Sequence, residues 1–165
     1  VPGELIRPVT TDQEVAQARA LFEEYAAQLG VSLCFQDFDR ELATLPGAYA
    51  PPRGGLWLAG PPDDPVGCVA LRPLEHDLDG RATSDTAEIK RLYLRPLARG
   101  TGLGRRLAET ALEGARSRGY RVVKLDTLAH MDAARALYGR LGFRPCAAYY
   151  HNPLGGTLYM ERLLG

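Results

Sequence analysis

Six residues, Arg99-Gly100-Thr101-Gly102-Leu103-Gly104, restrict the fold of this chain more than any other stretch. Upstream, AEIKRLYLRP from Ala87 reads as a strand. Downstream, Leu103, Leu107, Ala111 and Ala115 recur on one helical face, joined by Leu112, and Gly119 stops the helix. Three glycines alternate where that helix should begin. Glycine permits positive φ and lets a ligand approach the main chain closely. A helix start also leaves about four N–H groups without partners and carries roughly half a positive charge. Strand, tight turn and open helix start together make an anion site, most naturally for phosphate. The chain balances 20 basic against 20 acidic side chains, yet Arg95, Arg99, Arg105 and Arg106 stand together without an acid. That local excess favours a polyanionic ligand.

Two common phosphate turns do not fit. A P-loop ends in Gly-Lys-Ser/Thr, and Gly104 is followed by Arg105 and Arg106. The dinucleotide fingerprint G-x-G-x-x-G, started at Gly100, needs glycine at position 105. The even charge balance also disfavours a general nucleic-acid binder, which usually shows a basic excess. No run has the length of a transmembrane helix and no signal peptide is visible, so no membrane role is expected. Cys34, Cys68 and Cys146 are odd in number and widely spaced, forming no zinc or redox pattern. Reduced, buried thiols and a cytoplasmic setting are the expectation, with no metal.

The remaining elements follow from periodicity and turn residues. Glu4 to Val9 is a short strand, and Thr10 or Thr11 caps a helix carrying Val15, Ala18, Leu21, Phe22, Tyr25 and Leu29 until Gly30. Asp37 to Leu45 is a second helix, stopped by Pro46-Gly47. Leu56 to Ala59 and Val66 to Leu71 form a hairpin around Gly60-Pro61-Pro62-Asp63-Asp64-Pro65. His76 to Asp85 is an exposed loop. After the central strand and helix come a strand (Arg121 to Asp126), a helix (Asp132 to Arg140), and strands at Pro145 to His151 and Thr157 to Leu163. The sequence therefore predicts one α/β domain over residues 1–165, with a mixed central β-sheet of about six to seven strands flanked by about four helices.

Two motifs carry a resemblance: Arg-x-x-Gly-x-Gly at Arg99 to Gly104, and Ala134-x-x-Leu137-Tyr138-x-x-Leu141-Gly142-Phe143 after the following strand. Their order and spacing resemble the GNAT superfamily of acyl-CoA N-acyltransferases, and the element order is that of its fold. The resemblance covers nearly the whole chain. It implies a single N-acetyltransferase domain that uses acetyl-CoA as cosubstrate and a primary amine, small-molecule or peptide, as acceptor, by direct attack in a ternary complex. It also implies that Arg99, Gly100, Thr101, Gly102, Leu103 and Gly104 wrap the coenzyme pyrophosphate. A bulge in the central strand would let backbone groups of Leu92, Tyr93 and Leu94 bond the pantetheine, with one N–H facing the thioester oxygen. Ala134 would touch the coenzyme.

By the same resemblance Tyr138 is the general acid for the departing thiolate, and Glu88, with a raised pKa, the general base. A packing role for Tyr138, and an ion pair of Glu88 with Lys90 or Arg91, are the structural readings of those residues. One position departs from the family pattern: Met131 stands where many members carry asparagine. His130, a lone histidine beside it, carries no assignment. Tyr25, Phe35, Gln36, Phe38, Tyr49, Tyr149, Tyr150, His151 and Asn152 are candidate acceptor walls, with Arg91 as a carboxylate clamp. A coenzyme-binding sensor without catalysis is the alternative, and the final hairpin could pair two copies into a homodimer.

Overall fold

A computed structural model describes residues 6–30, 32–33, 37–153 and 155–165. Among these, seven strands and four helices follow one another as β1 (Ile6–Pro8), α1 (Asp12–Leu29), α2 (Phe38–Thr44), β2 (Gly55–Ala59), β3 (Gly67–Pro73), β4 (Thr86–Leu94), α3 (Leu103–Ser117), β5 (Val122–Leu128), α4 (Asp132–Arg140), β6 (Arg144–Pro145) and β7 (Thr157–Leu163). The strands form one sheet in the order β1-β2-β3-β4-β5-β7-β6. The β4–β5 pair is parallel, and every other pair is antiparallel. Glu4 and Leu5, expected in the first strand, lie outside the described residues.

Side-chain alternation along the strands gives the sheet two covered faces. Leu56, Leu58, Cys68 and Ala70 pack on one side with Ala18, Leu21 and Phe22 of α1 and Phe38 of α2. Trp57, Ala59, Val69 and Leu71 pack on the other with Leu103, Leu107, Ala111, Leu112 and Ala115 of α3 and Tyr138 of α4. The α3 stripe read from the sequence is therefore the core-facing stripe. Thr11 closes a reciprocal capping box with Glu14, and Gly30 ends α1 at φ 70°. No helix among the described residues is long and apolar enough to cross a membrane.

Two irregularities shape the centre of the sheet. Cys68 pairs with Tyr93 and Ala70 with Lys90, so Val69 alone faces Arg91 and Leu92, a β-bulge in β4. The parallel ladder between β4 and β5 then holds only from Thr86–Val122 to Glu88–Lys124. Beyond it the two strands diverge. One sequence expectation is corrected here: the strand predicted over Pro145 to His151 is only Arg144–Pro145. The chain leaves the ladder because Tyr149 and Tyr150 turn their hydroxyls onto carboxylates of β4 and β5, at 2.6 and 2.7 Å.

Candidate active site

The bulge rests on one residue. Arg91 has φ 59°, a left-handed conformation that costs a non-glycine residue about 1–2 kcal/mol. Its surroundings hold it there. Nε and Nη2 donate to both oxygens of Glu41 in α2, each at 2.9 Å. The guanidinium lies 5.8 Å from the Tyr25 ring and 5.1 Å from the Phe38 ring. The buried Cys68 thiol donates to its carbonyl at 3.3 Å. A cavity of about 780 Å³ opens where β4 and β5 part, walled by Ile89 to Leu94 on one side and Asp126 to Leu128 on the other.

At one end the cavity meets the glycine turn. α3 begins at Leu103 with Gly102 as an N-cap that provides no side-chain acceptor, so the first helical N–H groups depend on other partners. Gly100 and Gly102 have φ 78° and 84°, with open space where a Cβ would stand. At Gly104 a Cβ would make only ordinary van der Waals contact, 3.4 Å from the tip of the Leu94 side chain. Of the six turn residues, Arg99, Gly100, Gly102 and Gly104 line the cavity. Leu103 is fully buried in the α3 core, and Thr101 is exposed with its hydroxyl donated to Ala98 O at 2.7 Å, so only their backbones could serve a ligand. The arginine excess is also smaller in space than in sequence. Arg95 bridges Glu24 and Asp64 at 2.9 and 2.6 Å, and Arg105 pairs with Glu109 at 2.9 Å. Arg99 reaches back to α1, donating to Gln28 Oε1 at 2.6 Å and to Leu94 O at 3.0 Å.

α4 supplies the wall facing β4. Met131, Ala134, Leu137 and Tyr138 line the cavity, as does His130 just before the helix. Tyr138 is 7% exposed and its ring packs edge-on against Phe143 at 5.7 Å. Its hydroxyl has no hydrogen-bond partner among the described residues. Burial, reinforced by Tyr25 and the Asp126 charge, pushes this phenol well above its ordinary value, so it stays protonated throughout the neutral range.

The surroundings of Glu88 differ from those expected of a base with a raised pKa. Glu88 is 1% exposed, does not line the cavity, and its pKa is lowered rather than raised. Burial alone would push the carboxyl up. The Lys90 and Arg72 charges, with hydrogen bonds from Tyr149 and Arg72, outweigh that and hold it below the carboxylate range. Arg72 Nε donates at 2.9 Å, the Tyr149 hydroxyl at 2.6 Å, and Lys90 Nζ lies 3.8 Å away.

Two carboxylates do line the cavity: Asp132 at the start of α4, largely exposed and 3.5 Å from Arg135, and Asp126, near the end of β5. Asp126 accepts from the Tyr150 hydroxyl at 2.7 Å and lies 3.8 Å from Lys90 Nζ. Lys90, 5% exposed, also lines the cavity, and burial pulls its ammonium below its ordinary value despite Glu88 and Asp126. Neither Asp126 nor Lys90 as a site residue follows from the motifs. The available signal was positional, because ligands gather at the carboxyl ends of parallel strands.

Of the expected acceptor walls, Tyr25, Arg91 and Asn152 line the cavity. Phe38, Tyr49 and Tyr149 are buried and do not line it, Tyr150 holds Asp126, and His151 is exposed. Phe35 and Gln36 lie outside the described residues. Leu92, Tyr93 and Leu94 all border the cavity. Tyr93 is tied to α1 by hydrogen bonds with Glu24 and Gln28, at 3.2 and 3.0 Å.

The sequence and the fold are similar to those of known proteins. Residues 17–143 match the acetyltransferase (GNAT) family. A protein of Schizosaccharomyces pombe described as an uncharacterized N-acetyltransferase is 35% identical over 157 residues, 94% of this chain and 92% of that protein. The crystal structure of a putative acyl-CoA N-acyltransferase from Klebsiella pneumoniae superposes with a TM-score of 0.69 at 27% identity, over 98% of this chain and 97% of the other. A Salmonella typhimurium structure with its cofactor acetyl-CoA has the same fold, with a TM-score of 0.66 at 19% identity over 98% and 94% of the two chains. The glycine turn, the bulged central strand and the α4 tyrosine thus sit in a chain that belongs to the GNAT acetyltransferase family.

Proposed function

We propose that this protein is an N-acetyltransferase that moves an acetyl group from acetyl-CoA to a primary amine, small-molecule or peptide, by direct attack in a ternary complex. The observation that carries this reading is the continuity of one cavity, from the uncapped start of α3, past the bulge and Tyr138, to the Asp126 carboxylate. The turn suits a pyrophosphate. It offers open space above Gly100 and Gly102, free helical N–H groups, and Arg99 at its edge.

Bound acetyl-CoA would supply an activated acyl thioester. The residues of this chain would do the rest. Backbone N–H groups of the bulged strand, fixed in place before charge develops, would steady the carbonyl oxygen. Asp126, held by Tyr150 and Lys90, would bind the acceptor ammonium and take the proton it must lose, leaving a neutral nitrogen oriented for attack. Tyr138, protonated and with no hydrogen-bond partner among the described residues, would donate its proton to the leaving sulfur and regain one from the nitrogen as the amide forms. Glu88 lies behind this surface and is assigned no proton transfer.

Thiol release from acetyl-CoA, measured with tyramine, spermidine, L-aspartate and a dipeptide as acceptors, tests the reading. Acceptor-dependent release with acetylated product is the expected result. Tight acetyl-CoA binding without turnover on any amine would favour the non-catalytic alternative.

A further inference from the structure

Residues 146–153, which follow β6, lie over β4 and β5 at the acceptor end of the cavity with little regular structure of their own. Cys146 N donates to Tyr159 O at 2.9 Å, after which residues 147–153 leave the ladder. Their position depends on side chains. The Tyr149 hydroxyl donates to Glu88 Oε2 at 2.6 Å, and the Tyr150 hydroxyl donates to Asp126 Oδ2 at 2.7 Å. Asn152 Nδ2 donates to the Tyr150 oxygen at 3.0 Å and lines the cavity. Tyr149, Tyr150 and Tyr159 pack edge to face, with centroids 5.3 to 5.6 Å apart.

Only the first of these anchors is fully buried, and its acceptor is built in advance. Glu88 Oε1 is occupied by Arg72 Nε at 2.9 Å, while Lys90 Nζ stands 3.8 Å from Oε2. The carboxylate therefore keeps one fixed orientation, with Oε2 presented to the segment after β6. A charge-assisted hydrogen bond of this kind is roughly twice as strong as a neutral one. Tyr149 and Tyr150 are adjacent, so fixing one restricts where the other can reach.

We propose that Glu88 is a positioning residue of the acceptor site: through the Tyr149 hydroxyl it latches the segment after β6, so that Tyr150 and Asn152 stand at the Asp126 carboxylate. This rests on the transferase reading for its catalytic consequence, but the latch itself does not. It also gives Glu88 a function that needs no proton transfer. Lys90 reinforces the device, since it lies 3.8 Å from both Glu88 and Asp126 and ties the latch to the carboxylate it serves.

The test compares Tyr149→Phe, which deletes one hydroxyl, with Glu88→Gln in the full chain. Hydrogen exchange of the amides at positions 147–152 reports the latch without any ligand. Both variants should exchange there about 10-fold faster or more than wild type, while the α3 amides keep their protection. With the best acceptor from the amine panel, both should show a raised acceptor KM and reduced kcat/KM. That loss should be the same at every pH from about 6 to 9, with acetyl-CoA affinity by calorimetry within about twofold of wild type. Unchanged exchange in Tyr149→Phe would overturn the latch. So would a Glu88→Gln defect that recovers as pH rises while Tyr149→Phe stays normal, since that pattern marks a general base. If Glu88→Gln does not fold, Tyr149→Phe decides alone. A wild-type protein that binds no acetyl-CoA would instead remove the transferase reading, leaving the exchange result to judge the latch.

Discussion

Arg91 and Tyr138 govern the site in different ways. Arg91 spends backbone strain and a buried guanidinium on shaping the bulge, and its bonds to Glu41 join α2 to the central strand. The role proposed for Tyr138 is chemical, and its ring is held by packing against Phe143. Replacing Tyr138 by Phe removes one hydroxyl and little volume, so kcat should fall by about 10²–10⁴-fold, with melting temperature and coenzyme affinity nearly unchanged. Steady-state kinetics beside calorimetry checks this; near-normal turnover would leave Tyr138 a packing residue. Tyr138 was legible in the sequence because a motif fixes its spacing from Gly142 and Phe143. Asp126 was not, because its access to the cavity depends on a divergence of β4 from β5 that no local pattern encodes. Glu88 was half legible: Lys90, two residues away on the same face, was an expected partner. Arg72 and Tyr149 come from 16 and 61 residues distant and convert a candidate base into a paired anion.

The glycine turn and α3 form the element on which coenzyme binding should depend. Gly102→Val has room in the ligand-free protein, because nothing lies within 4 Å of its Cβ position. It nevertheless forces a β-branched residue to φ 84° and places methyl groups over the open helix start. The variant should fold, and acetyl-CoA affinity should drop about 10-fold or more, a loss of about 1.4 kcal/mol. Titration calorimetry showing wild-type affinity would exclude the turn as the phosphate cradle. This element was almost fully readable in the sequence, since strand end, glycine spacing and helix stripe are all local. The segment after β6 was not, because the tyrosine hydroxyls that draw it from the ladder find their carboxylates on strands far away in sequence.

For the whole molecule, two cores on opposite faces of one continuous sheet lead us to expect cooperative behaviour over residues 1–165. Scanning calorimetry should give a single transition, and separate transitions would require two folding units. Its midpoint should also depend on acid. Glu88 titrates lower when folded than its usual 4.5, so its ionised form stabilises the fold above that pH, and the contribution is lost as pH falls through the folded value. Melting temperature should therefore decline below about pH 4.5, with a shallower slope in Glu88→Gln.

β7 follows every other element in sequence, yet it lies inside the sheet, paired along its whole length with β5 and flanked by β6. On the ribosome, the glycine turn and the motif around Tyr138 are complete while β5 still shows a bare seven-residue edge. A chain interrupted before Thr157 would carry both recognisable motifs and an adhesive strand, which makes it a client for chaperones and proteases rather than a smaller enzyme.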